Sequence, residues 1–288
     1  MRNSNITFNI AGAFSHSDVI FEHYSKNKSI YNSYKKIYVY DGIDDCSWNG
    51  GRVNDKSLVL NDDLMDTAER YYSIGWGIKI TLSNNIIDLK DSKGLRILEK
   101  FHKRGNGVIL RNKDLKNLIS KEFPLYETTH SITGALQDAT LSEENLNFYR
   151  DLQKEYDFII PRLENNLDPN LEKLDKSKIE ILINDKCVYN CPYFKKHYDY
   201  IASLNLPSEH SEEELAKSGM CWINEKFLKI VTELDIKRHG FRYGMKLSKE
   251  QIVYLIDRGF YNFKILGRNF ADTPLCLSLD KYIIDYDC

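Results

Sequence analysis

The sequence of 288 residues contains no apolar run approaching the roughly 20 residues that cross a bilayer, so no membrane association is expected. Its first residues, Met1, Arg2, Asn3, Ser4 and Asn5, lack the apolar stretch and small-residue cleavage site of a secretory signal. A cytoplasmic location is the resulting expectation. Proline is scarce, at 6 residues, and no Pro- or Ser-rich linker interrupts the chain, which reads as one domain over 1–288. Neither sign of charge is in excess: 40 Lys and Arg face 42 Asp and Glu, which argues against a protein that works chiefly by neutralising nucleic-acid phosphates. There is no Walker-type loop, and Gly50–Gly51 is too short a signal for phosphate binding.

What is present is ample core material, 42% apolar and 12% aromatic residues, and 6 cysteines. In a reduced compartment those thiols are more plausibly free, metal-bound or catalytic than paired as disulfides. Eight short β-branched or aromatic runs read as strands: Thr7–Ile10, Ile37–Tyr40, Gly77–Leu82, Gly107–Leu110, Tyr126–Thr129, Asp157–Ile160, Ile179–Ile183 and Asn262–Leu266. Amphipathic stretches lie between most of them, at Ser17–Tyr31, Asp62–Tyr72, Gly94–Arg104, Lys113–Glu122, Ser142–Lys154 and Ser248–Gly259. Ser142 and Ser248 carry helix-capping signatures, and Gly105 and Gly259 stand where helices should stop. The alternation predicts an α/β fold of the (β/α)8 TIM-barrel type, with a doubly wound open sheet as the alternative.

One gap breaks the spacing. Between the seventh and eighth strands lies an insertion at 186–247, about sixty residues, far longer than an ordinary connection. It leaves the barrel at the C-terminal end of strand seven, the face on which TIM-barrel active sites are built. It holds Cys187, Cys191, His197, His210, Cys221 and His239. Cys187 and Cys191 are three residues apart rather than two, which disfavours a zinc knuckle. With Cys221 and one further thiol they have the makings of an iron–sulfur site, which usually takes four thiolates. Buried, inert thiols are the competing reading of the same residues.

The strand ends supply a second group: Arg111, His130, Arg162, Asn184 with Asp185, and Arg268, with Arg52 in the loop after strand two. On one rim, the arginines suit an anionic substrate, since guanidinium forks match carboxylates and phosphates. His130 is the candidate general acid or base by position. Strand parity adds a packing expectation. With Ile179, Ile181 and Ile183 facing the helices, Glu180 points into the barrel, and by the same rule Lys264 lies inward beside it, predicting a buried ion pair.

The run Asn262–Phe–Lys–Ile–Leu–Gly–Arg268 after a Gly-terminated helix resembles the Lys-Ile-Glu-Gly-Arg signature of the collagenase-like peptidase superfamily, with Leu266 where that family commonly has glutamate. A strand ending in a cysteine-bearing loop, a further cysteine and then this signature follow the same order. The superfamily includes TIM-barrel proteins of oxygen-independent ubiquinone biosynthesis and of rRNA and tRNA hydroxylation, several with a [4Fe–4S] cluster. The resemblance implies cluster ligands at Cys187, Cys191, Cys221 and Cys276, with Cys46 as the substitute for Cys276, and zinc as the alternative metal. It implies a hydroxylase-like enzyme acting on an aromatic ring, a small anionic or aromatic substrate, or an RNA base, with His130, Arg111, Arg162 and Arg268 around the reaction. A peptidase is the alternative that the superfamily name suggests, although no Ser-His-Asp order and no His-Glu-x-x-His motif occurs. A third reading is a non-catalytic metal-binding partner of a paralogue in a heterodimer.

Overall fold

The computed structural model describes residues 3–44, 46–50, 58–185, 187, 191–204, 211, 246–267 and 272–284. Eight parallel strands form one sheet: β1 Thr7–Ala11, β2 Lys36–Asp41, β3 Gly77–Leu82, β4 Gly107–Leu110, β5 Glu127–His130, β6 Phe158–Ile159, β7 Glu180–Leu182 and β8 Asn262–Ile265. β1 pairs with both β2 and β8, and a parallel bridge between Ile159 and Ile179 links β6 to β7. The expected (β/α)8 barrel is therefore the fold, and the open-sheet alternative is not.

The helices are α1 Ser17–Lys26, α2 Lys28–Tyr31, α3 Asp62–Ser73, α4 Ser92–Phe101, α5 Lys113–Glu122, α6 Glu143–Glu155, α7 Phe194–Ser203, α8 Lys249–Asp257 and α9 Asp272–Leu279. Side chains of Asn61, Asp91, Asn112, Ser142 and Ser248 accept from the first free backbone amides of α3, α4, α5, α6 and α8, so the polar residue before each apolar stripe sets where the helix begins. Ser248 and Gln251 form a reciprocal capping box. The stretch expected as one helix over Ser17–Tyr31 is broken at Asn27 into α1 and α2. Between β6 and β7 the connection is built of 3-10 turns, at Leu163–Asn165, Pro169–Lys173 and Lys176–Lys178. No helix among the described residues is long and apolar enough to cross a membrane.

Alternation along the strands sorts two layers of core. Ile10, Val39, Ile80, Leu110, Ile181 and Ile265 face the helices and are fully buried. The opposite parity fills the barrel. Tyr38 Oη donates to the Glu127 carboxylate near the N-terminal end of the strands. Above it, Lys264 Nζ and Lys79 Nζ each stand 3.0 Å from a different oxygen of Glu180, and all three side chains are buried. The expected Glu180–Lys264 pair forms, and Lys79, from the far side of the barrel, makes it a triad. Both ammonium groups also lie over rings, Lys264 at 3.7 Å from the Tyr40 centroid and Lys79 at 4.6 Å from that of Tyr38. Burial pushes the Glu180 carboxyl up, but the two lysines outweigh it and hold the group below its ordinary value. Towards the C-terminal end the interior turns apolar, with Ala11, Tyr40, Ile109 and Leu266 on one side and Ile160, Leu163 and Leu182 on the other.

Candidate functional site

β7 ends at Leu182, and the chain continues through Asn184 and Asp185 to the thiols. Asn184 closes this end against β8: its Nδ2 donates to the Leu266 carbonyl, and its Oδ1 accepts from the Leu266 amide at 2.7 Å. Asp185 Oδ1 accepts from the Cys187 amide and turns the backbone back over the barrel. Cys187 and Cys191 then meet side chain to side chain, with the Cys187 thiol donating to Cys191. Ile132, Phe194 and Tyr198 give the pair an apolar surround. The Cys187 hydrogen bond, the Tyr193 amide and the nearby Arg162 charge hold the Cys191 thiol below its ordinary pKa against the effect of burial. The same hydrogen bond, followed by burial, pushes Cys187 up. The spacing of three residues thus suffices to juxtapose two sulfurs.

α7 begins directly after this turn and crosses the C-terminal end of the barrel. Gln137, in the loop after β5, donates to the Cys191 carbonyl and accepts from the Lys195 amide, clamping the start of the helix. Arg111, just past β4, reaches Asp199 at 2.6 Å. Asn84, just past β3, donates to the Ala202 carbonyl at the helix's far end and to Ser47 in the loop after β2. Arg162, after β6, is 1% exposed and grips Glu164 with two nitrogens, at 2.5 and 3.0 Å; its other amino group donates to the carbonyls of Leu136 and Gln137. The guanidinium also lies 3.8 Å from the centre of the Phe194 ring. Two of the expected rim arginines therefore point to the rim, but their charges meet carboxylates of this chain. Their placement fastens a helix across the mouth.

His130 requires a correction. β5 extends one residue further than its sequence suggests, and His130 is in register with Leu110 and Ile159, both facing the helices. Its ring packs against Phe148 and Tyr156 on the α6 side, and Gly134 lies so close that a Cβ there would stand 2.8 Å from the imidazole. Burial, reinforced by the Arg111 charge, pulls its pKa from 6.5 to about 4. A buried neutral imidazole in the helix layer is a packing group and not the proton carrier at the mouth expected from its place in the sequence. The sign of its pH effect follows. The unfolded chain binds a proton that the folded chain refuses between pH 6.5 and about 4, so stability falls as pH falls through that window. Replacing His130 with Gln is expected to flatten this loss by about 2–3 kcal/mol between pH 7 and 4.5, read from urea unfolding at the two pH values.

The remaining cysteines disperse. Cys46, in the loop after β2, is 5% exposed and belongs to the main hydrophobic core, its sulfur 4.0 Å from the Ile43 carbonyl. Cys276 is on α9, facing α1, where its charged neighbours are Asp280, Lys26 and Glu22. Among the described residues no third His, Cys, Asp or Glu ligand atom lies with both sulfurs of the Cys187–Cys191 pair inside a 4.8 Å group. The structure thus brings together two of the expected cluster ligands and leaves Cys276 and Cys46 apart from them. Cys221, Arg268, Arg52, His210 and His239 lie outside the described residues. His197 is on α7 with its ring stacked on Tyr198, 6.3 Å between centres. Sequence reasoning missed Asn84, Gln137, Glu164 and Asp199, polar residues in loops and on a helix face with no motif to mark them.

No protein-family model matches the chain, and no curated protein matches it. Solved structures do match its architecture. Among them is the U32 peptidase Mk0906, with a TM-score of 0.51 and 10% sequence identity, the match covering 91% of this chain and 92% of that one. The likeness runs over nearly the full length of both, and what it shows at this identity is a shared fold: the chain is a (β/α)8 barrel of the kind seen in that U32 peptidase, the fold that the collagenase-like resemblance implies.

Proposed function

We propose that this chain is a metal-binding barrel protein of the oxygen-independent hydroxylase type, with Cys187 and Cys191 supplying two thiolates for an iron–sulfur cluster at the barrel mouth. The observation that carries the reading is the contact between these two sulfurs at the C-terminal end of β7, beneath α7. The donor chemistry fits: two adjacent cysteines in an apolar surround suit a thiolate-ligated iron site. Cys276 and Cys46 lie apart from the pair, so further ligands are sought outside the described residues, with Cys221 first. When bound, such a cluster supplies one-electron transfer. The protein's own part is structural and electrostatic. Gln137 holds the Cys191 turn, Arg162 offsets thiolate charge, and the layer of Ile160, Leu163 and Leu182 keeps water from below. A small aromatic compound or a nucleobase is the substrate class this reading implies.

Anaerobic purification with iron, sulfide and zinc quantification tests it. Iron with matching sulfide, and a visible charge-transfer spectrum lost in both Cys187→Ser and Cys191→Ser, is the expected result. A colourless protein without iron removes the proposal. A second reading, a non-catalytic partner subunit, is favoured by one observation: α7 is tied across the mouth by Arg111–Asp199 and by Asn84. It predicts bound metal that neither dithionite nor ferricyanide changes spectroscopically. The U32 peptidase neighbour lends a peptidase reading its fold and no site residues.

A further inference from the structure

A second constellation lies in the helix layer, on α1, α2 and α9. The α1 region and the α9 region are joined at two levels by histidine–aspartate contacts, from His16 just before α1 to Asp272 at 2.8 Å and from His23 Nε2 on α1 to Asp280 just after α9 at 3.0 Å. Only the second level also holds a thiol. A ring nitrogen of His23, Sγ of Cys276 and a carboxylate oxygen of Asp280 all lie within 4.8 Å of one another.

We propose that His23, Cys276 and Asp280 form a binding site for a zinc-class divalent transition ion. Four features support it. Imidazole, thiolate and carboxylate are the three zinc-ligand types of proteins, and the thiol selects against calcium and magnesium. The ring of His23, 5% exposed, is already oriented: its Nδ1 meets the buried Tyr31 Oη at 2.8 Å, which leaves Nε2 facing α9. A hydrogen bond on the second ring nitrogen is the usual support of a metal-bound histidine. Thiolate and carboxylate together balance a 2+ ion, and the nearby Lys26 ammonium is occupied by Glu22 at 2.6 Å. Finally, Asp280 opens a π-helical turn over Asp280–Ile284, a rare geometry concentrated at functional sites, which places its carboxylate one turn beyond Cys276.

Bonds of about 2.0–2.3 Å require the ligand atoms to close by roughly 1 Å from their present spread. Asp280, with a side chain 51% exposed, is free to swing that far. Binding takes the His23 tautomer with Nε2 unprotonated and the ring proton on Nδ1, donated to Tyr31 Oη, and it releases the Cys276 thiol proton to solvent. No residue of this site belongs to the barrel mouth, and the inference stands independently of the cluster proposal.

The test uses the full chain carrying Cys187→Ser and Cys191→Ser, stripped with chelator and titrated with cobalt(II) and then zinc(II). The expected result is one cobalt per chain with a thiolate-to-cobalt charge-transfer band, bleached by stoichiometric zinc. Adding Cys276→Ser should abolish the band while circular dichroism stays unchanged. Tyr31→Phe should retain the band but weaken zinc about 10- to 100-fold. Should Cys276→Ser fail to fold, Asp280→Asn, at a half-exposed position, carries the same test through an affinity loss of at least about 10-fold. No thiolate band at saturating cobalt, a band undiminished by Cys276→Ser, or zinc affinity unchanged by Asp280→Asn would each overturn the proposal.

Discussion

Glu180→Gln is expected to cost about 3–5 kcal/mol of unfolding free energy. The carboxylate is wholly buried and is the shared counter-charge of Lys79 and Lys264, whose side chains are 1% and 5% exposed. Removing it leaves two ammonium groups facing each other in a medium that solvates neither. Lys79→Met or Lys264→Met is expected to be milder, because each leaves one lysine paired with one glutamate. The triple replacement by methionine should come out near neutral or more stable than the parent, since a well-packed apolar core can replace a buried ionic group at no loss. Urea unfolding at pH 7 ranks all four. If Lys264→Met were as damaging as Glu180→Gln, shared counter-charge would be the wrong description of the triad. The pH dependence has a definite sign. Because the folded pKa of Glu180 is depressed below 4.5, its contribution is fully present above that value and is lost as pH falls through the folded pKa. The gap between wild type and Glu180→Gln should therefore hold from pH 5 to 8 and shrink in stronger acid.

Arg162→Met should cost a comparable amount, about 3–5 kcal/mol, for a different reason. Its partner Glu164 is 6% exposed and would be stranded as a buried charge, and the carbonyls of Leu136 and Gln137 would lose their donor. These carbonyls belong to the loop whose Gln137 clamps the Cys191 turn, so the damage should spread to the thiols. Thiol alkylation of the metal-free protein reads this: Cys187 and Cys191 should become more reactive in Arg162→Met than in wild type. Arg162→Met with Glu164→Gln should recover part of the stability by removing the stranded charge, but not the protection of the cysteines, because the loop still lacks its donor. Lysine at 162 should rescue little. It offers one point charge where the structure uses a planar fork against two oxygens and two carbonyls. An unchanged unfolding midpoint in Arg162→Met would show that the loop is held by other means.

Strand positions were legible because they are local. β3 and β4 begin and end where the runs of β-branched residues do, and Lys113–Glu122 is α5 to the residue. Parity was legible for the same reason: once Ile179, Ile181 and Ile183 face the helices, Glu180 has one direction left. Lys79 obeys the same rule within Gly77–Leu82, yet its partner on β7 could not be read from pairing order, because β3 and β7 are not neighbours. The contact exists only because the sheet curls into a barrel. His130 shows the limit of the local rule. Ending the strand one residue early placed the imidazole at the mouth, and the single extra residue of β5 turned it to the helices.

The thiol pair was marked by its spacing and by its place after a strand, and those two features do bring Cys187 and Cys191 together. Cys276 fits the order of the resembled motif, but α9 carries it to the outer layer beside His23, a residue that sequence position alone leaves among ordinary helix histidines. The arginines were read as anion ligands because a sequence shows a charge without its counter-charge. Asp199 lies 88 residues from Arg111, and nothing between them announces the contact.

Alternating apolar runs, caps and turn glycines by themselves determine that strands and helices alternate along this chain and that Glu180 and Lys264 turn away from the helices, since helix and strand periods are properties of neighbouring residues. Only the tertiary structure decides that the sheet closes into a barrel, that Glu180 serves two lysines, that Arg111 and Arg162 fasten a helix across the mouth, and that the described cysteines fall in three places. Those outcomes depend on barrel closure and on where α7 and α9 come to rest. The electrostatic work of bringing distant charges and ligands within 3–5 Å is a property of the assembled fold.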